Sequence, residues 1–251
     1  MTSFDLSALA SGFIIFCRIG TCLAFAPGFS TPRAPIRARL LTALALSLAL
    51  APGILEDGGP NLMATSDATT IALIVKESLV GAAIGIMARI FFALFEMMLT
   101  AASMSIGASS SFAPRIDEAE AAPEFAALVM FSATSLLFVT NMHWQIVRAV
   151  HDSYAAIPIG AGIEMRFALA KMVDALSVGS AIAFRLACPF IFFGLVCNFG
   201  FALANKLIPQ VAIYFVAAPV VLFCGLSLLS KLWTDMAMHF LAAFEDWLYR
   251  I

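Results

Sequence analysis

Long apolar runs separated by short polar breaks set the pattern of this chain. Phe4 to Ala26 is the first run, long enough to span a hydrocarbon layer of about 30 Å. Pro27 ends it, because a proline cannot continue the helix hydrogen bonding. The turn APGFSTPRAPIRARL follows, with Arg33, Arg37 and Arg39 and no acid. Leu40 to Leu55 is the second run, closing at Pro52-Gly53 or just past it. Glu56 to Thr70 is an acidic loop with Gly58, Gly59 and Pro60. Ile71 to Ile106 then reads as one helix of ~54 Å at 1.5 Å per residue, too long for a single span. It carries Lys76, Glu77, Arg89 and Glu96. Arg89 and Glu96, seven apart, share a face. Gly81 and Gly85 form a small-xxx-small pair that lets a neighbouring backbone approach closely. Such a helix belongs inside a protein assembly, partly out of the bilayer.

Phe125 to Val150 is the fourth run. Ile163 to Leu176 is shorter and mixed, with Glu164, Arg166, Lys171 and Asp174, and reads as an amphipathic connector. Ser177 to Ala204 and Val211 to Leu229 are the last two runs. Each holds a central proline, Pro189 and Pro219, which predicts a kink. The polar link NKLIPQ, Asn205 to Gln210, joins them, and the tail to Ile251 keeps a helical period. The expected fold is an all-α integral membrane protein with about six apolar helical segments, kinked and overlong. The basic turn holding Arg33, Arg37 and Arg39 is expected on the cytoplasmic side, which puts both termini on the other side; Lys206 agrees by parity.

Composition sharpens the class. Of 251 residues, 62% are hydrophobic and 12% charged, about half the charged fraction of a soluble domain. The formal net charge of −2 argues against a nucleic-acid partner. Cys17, Cys22, Cys188, Cys197 and Cys224 lie in apolar segments without metal-ligand spacing and read as small buried side chains. No Lys or Arg precedes Arg18, so a basic signal-peptide region is lacking and the first helix is expected to be retained. Arg18 itself sits inside an apolar run, where it must snorkel or find a partner.

No HExxH, GxSxG, P-loop, GxGxxG or CxxC motif is present. His143 and His151 are eight apart, ~12 Å along a helix and too far to share a metal. They read, with Trp144, as interfacial polar residues. No catalytic group, cofactor or metal is expected. One stretch stands out. Gly107 to Glu124 is small, polar and acidic, with Arg115 against Asp117, Glu118, Glu120 and Glu124. Pro114 and Pro123 break any helix through it. A polar loop of this length between membrane-grade helices is an ordinary surface loop or lines an aqueous path.

Four blocks carry a resemblance. Ala26 to Pro52, APGFSTPRAPIRARLLTALALSLALAP, is similar to the first hairpin of the FliR family of flagellar biosynthetic proteins, homologous to the T component of injectisomes. Glu96 to Phe125 corresponds in position to that family's plug region. Leu136 to Gly160, LLFVTNMHWQIVRAVHDSYAAIPIG, resembles the segment with a histidine after an Asn and a terminal Pro-Ile-Gly. Ala202 to Gly225, ALANKLIPQVAIYFVAAPVVLFCG, resembles the final hairpin. Two departures are visible. Asn141 is followed by Met142 and His143 where many members have paired histidines. Pro114-Arg115-Ile116-Asp117 stands where many have Asp-Pro.

The resemblance implies a non-enzymatic core subunit of the flagellar type III protein export gate, its helical hairpins packed in a hetero-oligomer. The implied partners are the membrane subunits FliP and FliQ, with FlhB, unfolded flagellar proteins in transit and the bilayer. The implied place is the bacterial inner membrane, multi-pass, at the flagellar basal body, with much of the complex above the membrane plane. One membrane domain is expected: N-terminal helices over 1–106, a plug loop over 107–124, a central helix and connector over 125–176, and a C-terminal hairpin over 177–251. The segment Gly107 to Pro123 would plug the channel through Gly107, Ser109, Ser110, Ser111, Phe112, Pro114, Arg115 and Asp117. In that reading Phe112 and Pro114 seal and Gly107 hinges. Arg18, Arg89, Glu96, His143, Arg185, Asn198, Asn205, Lys206, Pro209 and Gln210 are the polar residues expected to meet partners or hold the structure. The competing readings are a multi-pass secondary transporter with an Arg89, Glu96 and His143 relay, and an intramembrane enzyme. Against the first stands the lack of paired broken helices, and against the second the lack of a nucleophile–base pair.

Overall fold

A computed structural model describes residues 6–30, 35–56, 67–106, 124–208 and 213–249. Among them the chain forms seven helices: α1 (Leu6–Phe25), α2 (Ile36–Glu56), α3 (Asp67–Ser105), α4 (Glu124–Val139), α5 (Met142–Ala156), α6 (Met165–Leu207) and α7 (Ile213–Leu248). Four of them, α2, α3, α6 and α7, are long and apolar enough to cross a membrane. The all-helical membrane architecture is therefore as the hydrophobic pattern predicts. At 39 residues α3 is about 58 Å long, so the overlong third helix is present.

Three boundaries differ from the pattern. The fourth apolar run is two helices, α4 and α5, not one. Between them Asn141 takes a left-handed backbone, φ 59°. Asn tolerates that conformation better than most L-residues, and hydropathy does not report it. The mixed stretch from Ile163 is not a separate connector. From Met165 it is the first part of the 43-residue α6, because charges on one face do not interrupt helical hydrogen bonding. Arg37 and Arg39 belong to the start of α2 rather than to the preceding turn.

The helices gather into two compact units. The first comprises Met1–Phe91, Phe138–Leu176 and Glu245–Ile251. In it α1 packs against α2. Its core holds Ile14, Ile15, Ile19 and Leu23 of α1 with Ile84 and Met87 of α3 and Ile146 of α5. Phe91 stacks on Trp247, ring centroids 5.6 Å apart. The glycine pair of α3 closes the α1–α3 seam: a Cβ at Gly81 would overlap the Arg18 carbonyl oxygen, and one at Gly85 would meet the Cys22 carbonyl.

The second unit comprises Phe92–Leu137 and Ser177–Phe244. It is centred on aromatic rings. Phe92 meets Phe240 and Phe244 edge-on at 4.9 and 5.2 Å, and Phe95 stacks on Phe240 at 4.2 Å. Each such buried ring contributes roughly 1.5–3 kcal/mol through burial alone. At the end of α3, a Cβ on Gly194 of α6 would overlap the Ser105 carbonyl. Gly225 of α7 packs against the Ile106 side chain.

The seam predicts a contrast between two glycines. Gly81→Ala should lower the stability of the full chain by about 1–3 kcal/mol, since the backbones cannot separate without losing the seam. Gly12→Ala on α1, where an added methyl meets nothing, should be neutral or raise stability by up to about 1 kcal/mol through helix propensity. Thermal unfolding of the two purified variants measures the difference; equal melting temperatures would show that the seam is not tight.

Candidate functional site

Arg18 is the point where four parts of the first unit meet. Its helix places it in the middle of an apolar run, and its side chain is fully buried. Nε donates to Glu77 Oε2 of α3 at 2.6 Å. One terminal nitrogen donates to Ser153 Oγ of α5 at 3.2 Å, and the other to the Ile157 carbonyl at 3.0 Å. The guanidinium lies 4.0 Å from the centre of the Tyr154 ring. Burial pushes the Tyr154 phenol above its usual range, so the ring is neutral beneath the cation.

Glu77 is as completely buried as Arg18. Its second oxygen accepts the Gly160 N–H at 2.9 Å. The neighbouring Lys76 donates to the Gly160 carbonyl at 3.0 Å. Gly160 has φ +85°, and a Cβ there would come within 2.7 Å of Leu73. Only glycine fits that corner. Ser153 in turn donates to the Val150 carbonyl at 2.6 Å, leaving its oxygen free to accept from Arg18. Every charged atom of the pair thus has a partner, the condition under which a buried ion pair is tolerated.

The other expected residues fall elsewhere. Arg89 and Glu96 on α3, and Arg185 and Asn198 on α6, are exposed and have no side-chain partner among the described residues. Asn205 and Lys206 are exposed at the end of α6. His143, at the start of α5, is half-buried and stacks on Phe138 at 5.3 Å, its Nδ1 buried without a hydrogen bond. His151 Nδ1 sits 3.2 Å from Asp152, and no group of three potential metal ligands occurs among the described residues. Gly107, Ser109, Ser110, Ser111, Phe112, Pro114, Arg115, Asp117, Pro209 and Gln210 lie outside the described residues.

Glu77, Ser153, Tyr154, Ile157 and Gly160 are the residues that reading the sequence did not assign to Arg18. One signal points to Glu77. Glu77, Gly81 and Gly85 are four apart and share a face, so the acid stands on the same stripe as the seam glycines. The peptide groups of residues 157 and 160 carry no such signal.

Long apolar helices, one buried ion pair and charges left on outer faces define a multi-helix membrane protein. The chain belongs to the bacterial export proteins, family 1, whose pattern matches residues 9–247. The flagellar biosynthetic protein FliR of Caulobacter vibrioides is 29% identical over 242 residues, covering 92% of this chain and 94% of that protein. Its namesake in Escherichia coli K12 is 26% identical over 217 residues, 86% and 81% of the two chains. The resemblance read from the four sequence blocks holds over nearly the whole length.

The ion pair makes a prediction with a distinctive sign. Arg18→Leu and Glu77→Leu each leave one uncompensated buried charge and should each cost about 3–5 kcal/mol. The double variant leaves none and should be more stable than either single. Melting temperatures of the four purified chains decide it; a double variant worse than both singles would show that packing, not charge pairing, is at stake.

Proposed function

We propose that this chain is a non-enzymatic core subunit of the flagellar type III export gate in the bacterial inner membrane, part of the protein-conducting channel with FliP and FliQ. The observation that carries this reading is the family match along residues 9–247, together with two relatives both named for flagellar biosynthesis. Physical support comes from the surface. The apolar windows of α6 and α7 are only 17% and 11% buried within the chain, against 56% for α3. Exposed Arg89, Glu96, Arg185 and Asn198 interrupt helices of membrane grade, and charges there are expensive unless a partner satisfies them. FlhB and unfolded flagellar proteins complete the proposed set of contacts, and the Arg33 to Arg39 stretch faces the cytoplasm. The segment 107–123 serves as the plug, with Phe112 as its apolar stopper in a polar chain.

Two measurements test this. Purified with FliP and FliQ, the chain should form a stoichiometric complex that Arg89→Leu and Glu96→Leu weaken while the isolated chain melts as before. A monodisperse chain that ignores both partners would sink the gate reading. Removal of Ser109 to Ala121 should leave that complex assembled but make its membrane leaky to ions or small dyes. Phe112→Ala should leak less, and Phe112→Leu little. An assembled complex that stays tight after the deletion would show that the segment is only a connector.

A further inference from the structure

The first unit holds a pocket that the export reading does not use. Its volume is about 120 Å³, close to the roughly 150 Å³ at which an apolar cavity takes up benzene. Every residue that lines it belongs to that unit. Ile84 and Met87 of α3, both buried, supply its inner lining. Ala149 and Ser153 of α5 follow, with Ile157 at the end of that helix. Phe167 of α6 and Tyr249, just past α7, bring two aromatic rings to it.

The lining says what kind of molecule suits it. Its two charged residues, Arg148 and Asp152, are exposed and pair with each other at 3.6 Å, so the pocket has no net charge to offer an ion. The Tyr249 hydroxyl donates to Gln145 Oε1 at 3.3 Å, and the Gln145 amide donates to Glu245 Oε1 at 3.0 Å. These groups are matched to one another. What the lining favours is a ring. Aromatic side chains such as Phe167 and Tyr249 attract another ring beyond the effect of burial. A thioether such as that of Met87 makes favourable contacts with aromatic groups. The Arg148 guanidinium, 5.8 Å from the centre of the Tyr249 ring, attracts the electron-rich face of a ring.

We propose that this pocket binds a small, neutral aromatic molecule, a single ring of about the size of phenol. Phe167, Tyr249 and Met87 hold the ring, and Arg148 adds a cation–π contact. Ser153 Oγ and the Ile157 carbonyl, whose residues line the pocket, are also the acceptors of Arg18. An occupied pocket therefore braces the wall on which the buried ion pair depends, and the ligand stabilises the first unit. The proposal stands on this pocket alone, not on the export reading.

The test is melting of the purified full chain titrated with phenol, cyclohexanol and benzoate. Cyclohexanol matches phenol in size and hydroxyl but has no π face, and benzoate adds a charge. Phenol should raise the melting temperature to a plateau, as mass action requires of a ligand for the folded state. Its half-effect concentration should be about fivefold below that of cyclohexanol, and benzoate should do little. Ala149→Leu fills the pocket and should abolish the response. Arg148→Gln, at an exposed side chain, should melt like the parent without probe and narrow the advantage of phenol to about twofold; it decides the matter if Ala149→Leu does not fold. Four results would overturn the proposal. Equal affinity for phenol and cyclohexanol would leave a plain apolar gap. A phenol effect that survives in Ala149→Leu would place the probe in the detergent or lipid. Benzoate binding as tightly as phenol would mean an anion site. Loss of the response in a complex with FliP and FliQ would give the pocket to a partner side chain.

Discussion

An arginine inside an apolar helix must be satisfied by other parts of the chain, and the first unit is arranged around that need. Moving a guanidinium and a carboxylate out of water costs several kcal/mol each, and their attraction offsets this only when geometry is close and remaining donors are used. Arg18 meets the condition through Glu77, Ser153, Ile157 and the Tyr154 ring. The seam glycines are part of the same requirement. Without a Cβ at Gly81 the α3 backbone reaches the Arg18 carbonyl, and Glu77, one turn earlier on that face, comes within hydrogen-bond distance. The corner at Gly160 is held by adjacent side chains of α3, Lys76 on its carbonyl and Glu77 on its N–H. One buried charge thus fixes α1, α3, α5 and the start of the α5–α6 connection together.

The second unit is held by other means. Its interior is a cluster of phenylalanines and two close glycine contacts, and Glu96, Arg185, Lys206, Lys231 and Asp235 are exposed. Apolar packing of this kind is non-directional. It sets how much surface is buried but does not demand one partner for one atom, as Arg18 does. The consequence is a unit whose outer faces mix large exposed apolar groups, such as Phe192, Phe199 and Phe223, with solitary polar ones. Water suits neither the apolar area nor its amount, since exposed patches of this kind mark membrane or protein contact.

Much of the fold was legible because the helical period and the apolar run length are strong local signals. The overlong α3 and its glycine seam follow directly from Gly81, Gly85 and an unbroken stretch without proline. Helix ends were less legible. Asn141 breaks the fourth run by its own backbone conformation, which leaves no mark in hydropathy. The stretch after Ile163 reads as a separate piece because its charges suggest a boundary, whereas Arg166, Lys171 and Asp174 lie within α6 and Glu164 just before it. The exposure of Arg89, Glu96 and Arg185 is what charge within apolar helices leads one to expect, and the uncharged Asn198 is exposed as well. The partners of Arg18 could not all be found, because two of them are main-chain groups, and a sequence carries no residue-specific signal for a carbonyl or an amide.

Hydropathy also fails to say which apolar helix is inside. The long helices α3 and α6 are equally membrane-grade by length and composition, yet the apolar window of α3 is 56% buried and that of α6 only 17%. What separates them is the distribution of small and charged residues. In α3, Glu77, Gly81 and Gly85 form one stripe, so a neighbour is drawn in by charge and admitted by the missing side chains. In α6 small residues also face inward, Ala183, Ala187 and Gly194, the last tight on the Ser105 carbonyl, but no buried charge stands with them, and Arg185 is on an exposed face. A helix that leaves most of its apolar window outside the chain's own core is stable only in contact with something outside that chain. For a member of an export family, that outside is either lipid or another subunit. The isolated polar groups decide between them face by face, because lipid tails cannot satisfy a charge and a headgroup or a partner side chain can.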